Sequence, residues 1–142
     1  MVNTINDPVF GEMEVKHGWH KNMDIGFWGK TVNLRIKATQ YSNTEIIDIQ
    51  RKNYQFVIDN MLKISEMTKK AIVDYINKNS EEIESVLSDK FSYDPEKNVF
   101  LNTIIFFADG TYGLLFDCTW DVEHGLVVKL PEYEVGPQDI LL

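Results

Sequence analysis

A chain of 142 residues with 44 % hydrophobic and 12 % aromatic residues has the material for one folded core, which excludes disorder and leaves little length for a second domain. Its 14 basic residues stand against 22 acidic ones, and the net charge of −8 repels a phosphate backbone, so nucleic acid is excluded as a partner and a basic protein suits the surface better. The single cysteine, Cys118, has no internal disulfide partner, as fits a reducing compartment.

Residues 1–8 carry neither a basic region nor an apolar run, and read as a frayed end. No stretch approaches the roughly 20 apolar residues of a membrane-spanning helix. The expected setting is therefore the cytoplasm of a bacterial-type cell, with no membrane partner. From Val9 to Val15 the chain alternates, with Val9, Gly11, Met13 and Val15 as the inward set, the mark of a half-buried strand. His17 and Gly18 signal a turn. A second strand runs from Trp19 to Phe27, and Trp28, Gly29 and Lys30 turn the chain again. Thr31 to Ala38 alternates cleanly, Val32, Leu34, Ile36 and Ala38 facing inward. Short turns join antiparallel neighbours, so these segments are expected to form a meander.

Ser42 and Glu45 have the spacing of a helix capping box. Beyond them the period changes to about 3.6 residues. Ile47, Tyr54, Val57, Ile58, Met61, Ile64, Thr68, Ala71, Ile72 and Tyr75 fall on one stripe, opposite Arg51, Lys52, Asp59, Lys63, Lys69 and Lys70. One unbroken helix of this length would span about 50 Å, too long for the domain, so a break is expected between Asn60 and Thr68. A short acidic helix follows from Ser80 to Leu87, then a turn at Asp94 to Asn98.

Val99 to Ala108 is almost wholly apolar, as a central strand should be. Asp109 and Gly110 suggest a two-residue hairpin loop. That loop would pair Phe107 with Tyr112, Ile105 with Leu114, Thr103 with Phe116, Leu101 with Cys118 and Val99 with Trp120. After a turn at Asp121 to Gly125, Leu126 to Leu130 forms another strand, and Glu132 to Val135 a short edge piece. The fold class expected is α+β: an antiparallel sheet of six or seven strands in two meander halves, 9–38 and 99–136, with a helical insert, 43–88, packed on one face of a single domain.

Chemically capable side chains crowd only at Asp117, Cys118, Trp120, Asp121, Glu123, His124 and Gly125. Cysteine, histidine and carboxylates are the ligand types zinc uses, so a metal-dependent hydrolase using this loop is one reading. The spacing weakens it. Asp117 and Cys118 are adjacent in a strand and face opposite ways, and His17 and His20 belong to a different hairpin. A thiol flanked by aspartate also has the wrong electrostatics for a nucleophile. The competing reading is a stiff loop: Asp121 accepts backbone N–H groups, His124 bonds a backbone carbonyl or Asp117, Gly125 supplies a positive φ or a close backbone approach, and Cys118 and Trp120 anchor the core. Asp117, Asp121, Glu123 and His124 are then candidate binding residues, with no catalytic group, metal or cofactor.

The segment D-C-T-W-D-V-E-H-G-L at residues 117–126, followed by V-G-P-Q-D at 135–139, resembles a family of small bacterial proteins of unknown function. The stretch from Val9 to Glu14, the Trp19 hairpin and the Gln50/Tyr54 helix are similar to that family's N-terminal part. Some members resemble immunity proteins encoded beside polymorphic toxins. The resemblance implies a binding protein, whose partner would be a basic protein such as a toxin, and it carries over no reaction and no oligomeric state.

Overall fold

The computed structural model describes residues 3–39, 45–87 and 94–140. Among them, eight strands form one sheet whose spatial order is the order of the chain. The strands are β1 (Thr4–Asp7), β2 (Gly11–Val15), β3 (Trp19–Phe27), β4 (Lys30–Thr39), β5 (Val99–Phe107), β6 (Tyr112–Cys118), β7 (Leu126–Leu130) and β8 (Glu134–Gly136). Four helices lie between β4 and β5: α1 (Asp48–Asp59), α2 (Met61–Lys78), α3 (Ser80–Leu87) and α4 (Pro95–Asn98). The fold is α+β and its sheet is mostly antiparallel. The exception is the join between the halves, where β4 and β5 run parallel, Arg35 beside Thr103 and Lys37 beside Ile105. Two meanders with an insert do not by themselves fix that join. A helical crossover returns the chain to the same end of the sheet, and its neighbour is then parallel.

The N-terminal end differs from the expected frayed end and single strand. Thr4–Asp7 pairs with Gly11–Glu14, and residues 8–10 form the turn between them. Asp7 Oδ2 accepts the Val9 and Phe10 amides, both at 3.0 Å, which fixes this turn and swings Phe10 into the core. Val9 and Val15, expected inside, are exposed, while Met13 is buried as expected.

The helix begins at Asp48, later than the expected capping box; Ser42 lies outside the described residues. The entry is closed instead by Gln50, whose Oε1 accepts the Ile47 amide at 3.0 Å. The break falls at Asn60, where the side-chain amide donates to the Phe56 carbonyl at 2.8 Å and the backbone leaves helical geometry. Asp94 to Asn98, expected as a turn, closes into the short helix α4, with Asp94 accepting the Glu96 amide. Tyr54, Val57, Ile64, Thr68, Ile72 and Ile76 are buried along the helices. They meet Leu34, Ile36, Ala38, Ile104, Phe106 and Leu114 in one core, which places the helices on one face of the sheet.

The β5–β6 hairpin corrects the expected register. Phe106, not Phe107, pairs with Tyr112, and Ile104, not Ile105, pairs with Leu114. The loop is wider than two residues: Gly110 N–H donates to the Phe107 carbonyl, Phe107 N–H donates to the Thr111 carbonyl, and Gly110 has φ +94°. A turn followed by a glycine in positive φ makes the three-residue loop, which shifts pairing by one and reverses the face of β5. An irregularity between Leu101 and Thr103 then shifts the pairing again, so that Val99 and Leu101 reach the same core as Ile104 and Phe106. Leu101 consequently opposes Phe116, and Val99 opposes Cys118.

Candidate functional site

The loop from Thr119 to Gly125 leaves the end of β6 and is held from both sides. Thr119 N–H donates to the Asn98 carbonyl at 2.9 Å, which ties the loop to the start of β5. At the far end Gly125 N–H donates to the Asp121 carbonyl at 2.9 Å. Gly125 has φ +64°, and a Cβ there would stand 2.5 Å from the Phe116 carbonyl oxygen, so both reasons for a glycine at this position hold together. Within the loop Asp121 Oδ1 accepts the His124 amide at 3.2 Å and contacts His124 Nδ1 at 3.0 Å. His124 is thus clipped to Asp121 and not to Asp117.

Cys118 is buried on the core face. Burial pushes its thiol up to about 11, although the Trp120 and Asp121 amides donate toward the sulfur. A thiol held protonated in this way is no nucleophile. Asp117, one residue earlier, points to the helix-free face, is exposed, and accepts from Asn102 Nδ2 at 3.0 Å. Trp120 is only half-buried and packs at the edge of the core, a weaker anchor than expected, because the chain has already left the sheet for the turn. Glu123 is exposed, and Val122 beside it is 85 % exposed.

The loop residues therefore divide. Asp121, His124 and Gly125 shape the turn, Cys118 and Trp120 face the core, and Asp117 and Glu123 face water. Among the described residues no group of three or more histidine, cysteine, aspartate or glutamate side chains comes together as a metal site. Asp117, Glu123 and His124 instead share the wall of a shallow groove with Asn102, Val122 and Gln138. The sequence reading missed Phe100, which is 53 % exposed and sits directly across from Asp117 on β5. An unbroken apolar run hides such a residue, since only the register tells which of its members faces water.

His17 and His20 do not approach this loop. They line a separate cleft of about 340 Å³ with Glu14, Lys16, Arg35 and Lys37, at the β2–β4 end of the sheet. The alternating polar positions of β3 and β4 were the signal for it. No described helix is long and apolar enough to cross a membrane.

No match was found among curated proteins or among solved structures. A family model does match residues 9–142, nearly the whole chain, and the protein therefore belongs to the family described as domain of unknown function DUF6985.

Proposed function

We propose that the protein is a non-enzymatic binding module of the immunity or adaptor type, acting in a bacterial cytoplasm on a basic protein partner such as a toxin. One observation carries this reading. Phe100 stands out into water across from the exposed carboxylate Asp117, and Val122 stands out beside the exposed carboxylate Glu123 in the loop that follows. Apolar anchors ringed by like charge are the make-up of a docking patch: the apolar groups supply affinity and the charges steer a partner of opposite sign. The His124 amide bond to Asp121 and the Gly125 contact hold the loop in shape before binding, which lowers the ordering cost of association.

The test uses the product of the reading frame next to this gene. Calorimetry should detect a complex that weakens with rising salt and weakens at least about tenfold in Phe100→Ala and in Glu123→Lys, the loss of a central anchor or a charge reversal. A complex indifferent to both changes, or no complex with any neighbouring product, overturns the reading. So does a zinc-dependent rise in melting temperature that disappears in His124→Ala.

A further inference from the structure

The helix-free face of the sheet carries a cleft of opposite character to the rest of the molecule. Glu14 of β2 pairs with His20 of β3, His20 with Lys37 of β4, and Asn22 with Arg35. Leu34, Ile36 and Ala38 face the helices, so Arg35 and Lys37 face away from them, into the cleft with Lys16 and His17. Lys21 also borders it, but its ammonium is engaged on the core side, by the Phe10 carbonyl and the Tyr54 hydroxyl. Three cationic residues, Lys16, Arg35 and Lys37, thus line the cleft with one carboxylate, Glu14. Among the described residues none of the three has a carboxylate within ion-pair distance. On a chain of net charge −8, a cationic cluster with no ion-paired carboxylate is a local inversion.

His20 makes the cleft more specific. Its Nε2 donates to the Lys16 carbonyl at 2.6 Å, and its Nδ1 is buried without a hydrogen-bond partner among the described residues. Burial, and after it the charges of Lys37 and Arg35, hold its proton affinity below the ordinary histidine value, against the opposite pull of the Lys16 carbonyl and Glu14. The neutral form of the ring is favoured, first by burial and then by its cationic neighbours.

We propose that this cleft binds a small phosphate monoester, with Arg35, Lys37 and Lys16 on the phosphate. A guanidinium fork with two ammonium groups matches a dianion, and Arg–phosphate pairs are among the stronger charge-assisted contacts. The cleft volume sits at the small end of metabolite sites, which favours one phosphoryl group on a short organic body over a polymer. Glu14 and Asn22 are placed to accept and donate at that body's hydroxyls. The site is independent of the Phe100 edge. A dianion between Lys37 and Arg35 cancels their repulsion, so the midpoint of His20 rises on binding.

The experiment is an NMR titration of the intact chain with glycerol 3-phosphate, inorganic phosphate, citrate and hexaglutamate, following the His20 ring. Saturable binding of glycerol 3-phosphate is expected, with an upward shift of the His20 midpoint. Arg35→Met and Lys37→Met should each weaken it at least about tenfold, and Arg35→Lys less, with unchanged melting temperatures because both side chains reach solvent. Binding of citrate or hexaglutamate with glycerol 3-phosphate inert overturns the assignment, as does phosphate-ester binding that leaves the His20 midpoint where it was.

Discussion

Gln50 Nε2 donates to the Phe106 carbonyl oxygen across 3.1 Å, and the same amide donates to the Thr39 carbonyl at 3.0 Å. Thr39 ends β4 and Phe106 lies near the end of β5, so one fully buried side chain in the first turn of α1 bridges the two strands of the parallel pair. Its Oε1 closes the helix entry at the same time. The whole crossover is anchored at this residue. Gln50→Leu should cost about 2 kcal/mol or more, since it takes the partner from the Ile47 amide and the Gln50 donor from the Phe106 carbonyl, at roughly 1–3 kcal/mol each before relaxation, while the Thr39 carbonyl keeps the Ala108 amide. Gln50→Glu should be worse at neutral pH, because it turns a carboxylate oxygen toward two carbonyls. Its buried carboxyl would have a raised pKa, so that variant should regain stability as pH falls and the group protonates. Urea denaturation at about pH 7 and about pH 5 checks both the size and the sign.

A second polar tie joins the first hairpin to the same helix. Arg51 Nε donates to Asp7 Oδ1 at 2.8 Å, where the Asp7 side chain is only 2 % exposed. Burial alone would raise the Asp7 carboxyl; the Phe10 and Val9 amides and the Arg51 guanidinium more than offset it and hold it below its ordinary value of 3.8. A depressed folded pKa contributes stability that is fully present above the unfolded value and is lost as pH falls through the folded one. Wild-type protein should therefore lose more stability between about pH 5 and about pH 2.5 than Asp7→Asn, whose deficit at neutral pH should be about 1–3 kcal/mol. Parallel acid titrations of the two would refute this.

These ties also mark what was legible in the sequence. Strand positions with clean alternation, such as Leu34, Ile36 and Ala38, were readable because period two and burial agree there. The helix stripe was readable for the same reason. Gln50 and Asp7 were not, because a polar residue is buried only when tertiary partners satisfy it, and those partners are up to 56 residues away in the chain. The β5–β6 register failed at one residue: Asp109 Oδ1 accepts the Thr111 amide at 2.8 Å, in a three-residue loop that an Asp-Gly pair does not distinguish from a two-residue one. At the candidate site, the roles of Gly125 and Asp121 were legible from residue type. The outward Phe100 depended on the register.

Trp28 sits at a turn, yet it is held more firmly than Trp120. It stacks on Phe116 with ring centroids 5.9 Å apart, lies 4.7 Å from Phe27, and donates through Nε1 to the Ser65 carbonyl at 2.8 Å, pinning the β3–β4 turn to α2. Trp28→Ala should cost about 3–5 kcal/mol, in the range of large aromatic truncations, and exceed Trp120→Ala by at least about 1 kcal/mol. Equal losses by chemical denaturation would contradict the geometry.

Cys118 offers a reagent test. Its thiol is buried and pushed up to about 11 by desolvation. Native protein at about pH 8 should react with iodoacetamide orders of magnitude more slowly than protein in urea, since the thiolate is the reacting form. Rapid native labelling would place the sulfur outside the core and reopen a nucleophile role.

The loop from Asp121 to Gly125 separates scaffold from surface within five residues. Gly125→Ala should cost more than about 2 kcal/mol, because a positive φ and a 2.5 Å approach to a backbone oxygen act together and neither atom can move away cheaply. Asp121→Ala removes an acceptor for the His124 amide and should cost about 1 kcal/mol. His124→Ala should cost no more than about 0.5 kcal/mol: its side chain is 65 % exposed, and a pair in that much water contributes little. That is less than a structural histidine would give, and it follows from the ring's facing solvent from its clip on Asp121. Glu123→Lys and Val122→Asp should leave the melting temperature unchanged, since both side chains are in water. Thermal melts of the five variants give the order Gly125, Asp121, His124, then the two surface changes. If Glu123→Lys or Val122→Asp destabilises as much as Gly125→Ala, the tip is packed against the protein and is not a docking edge.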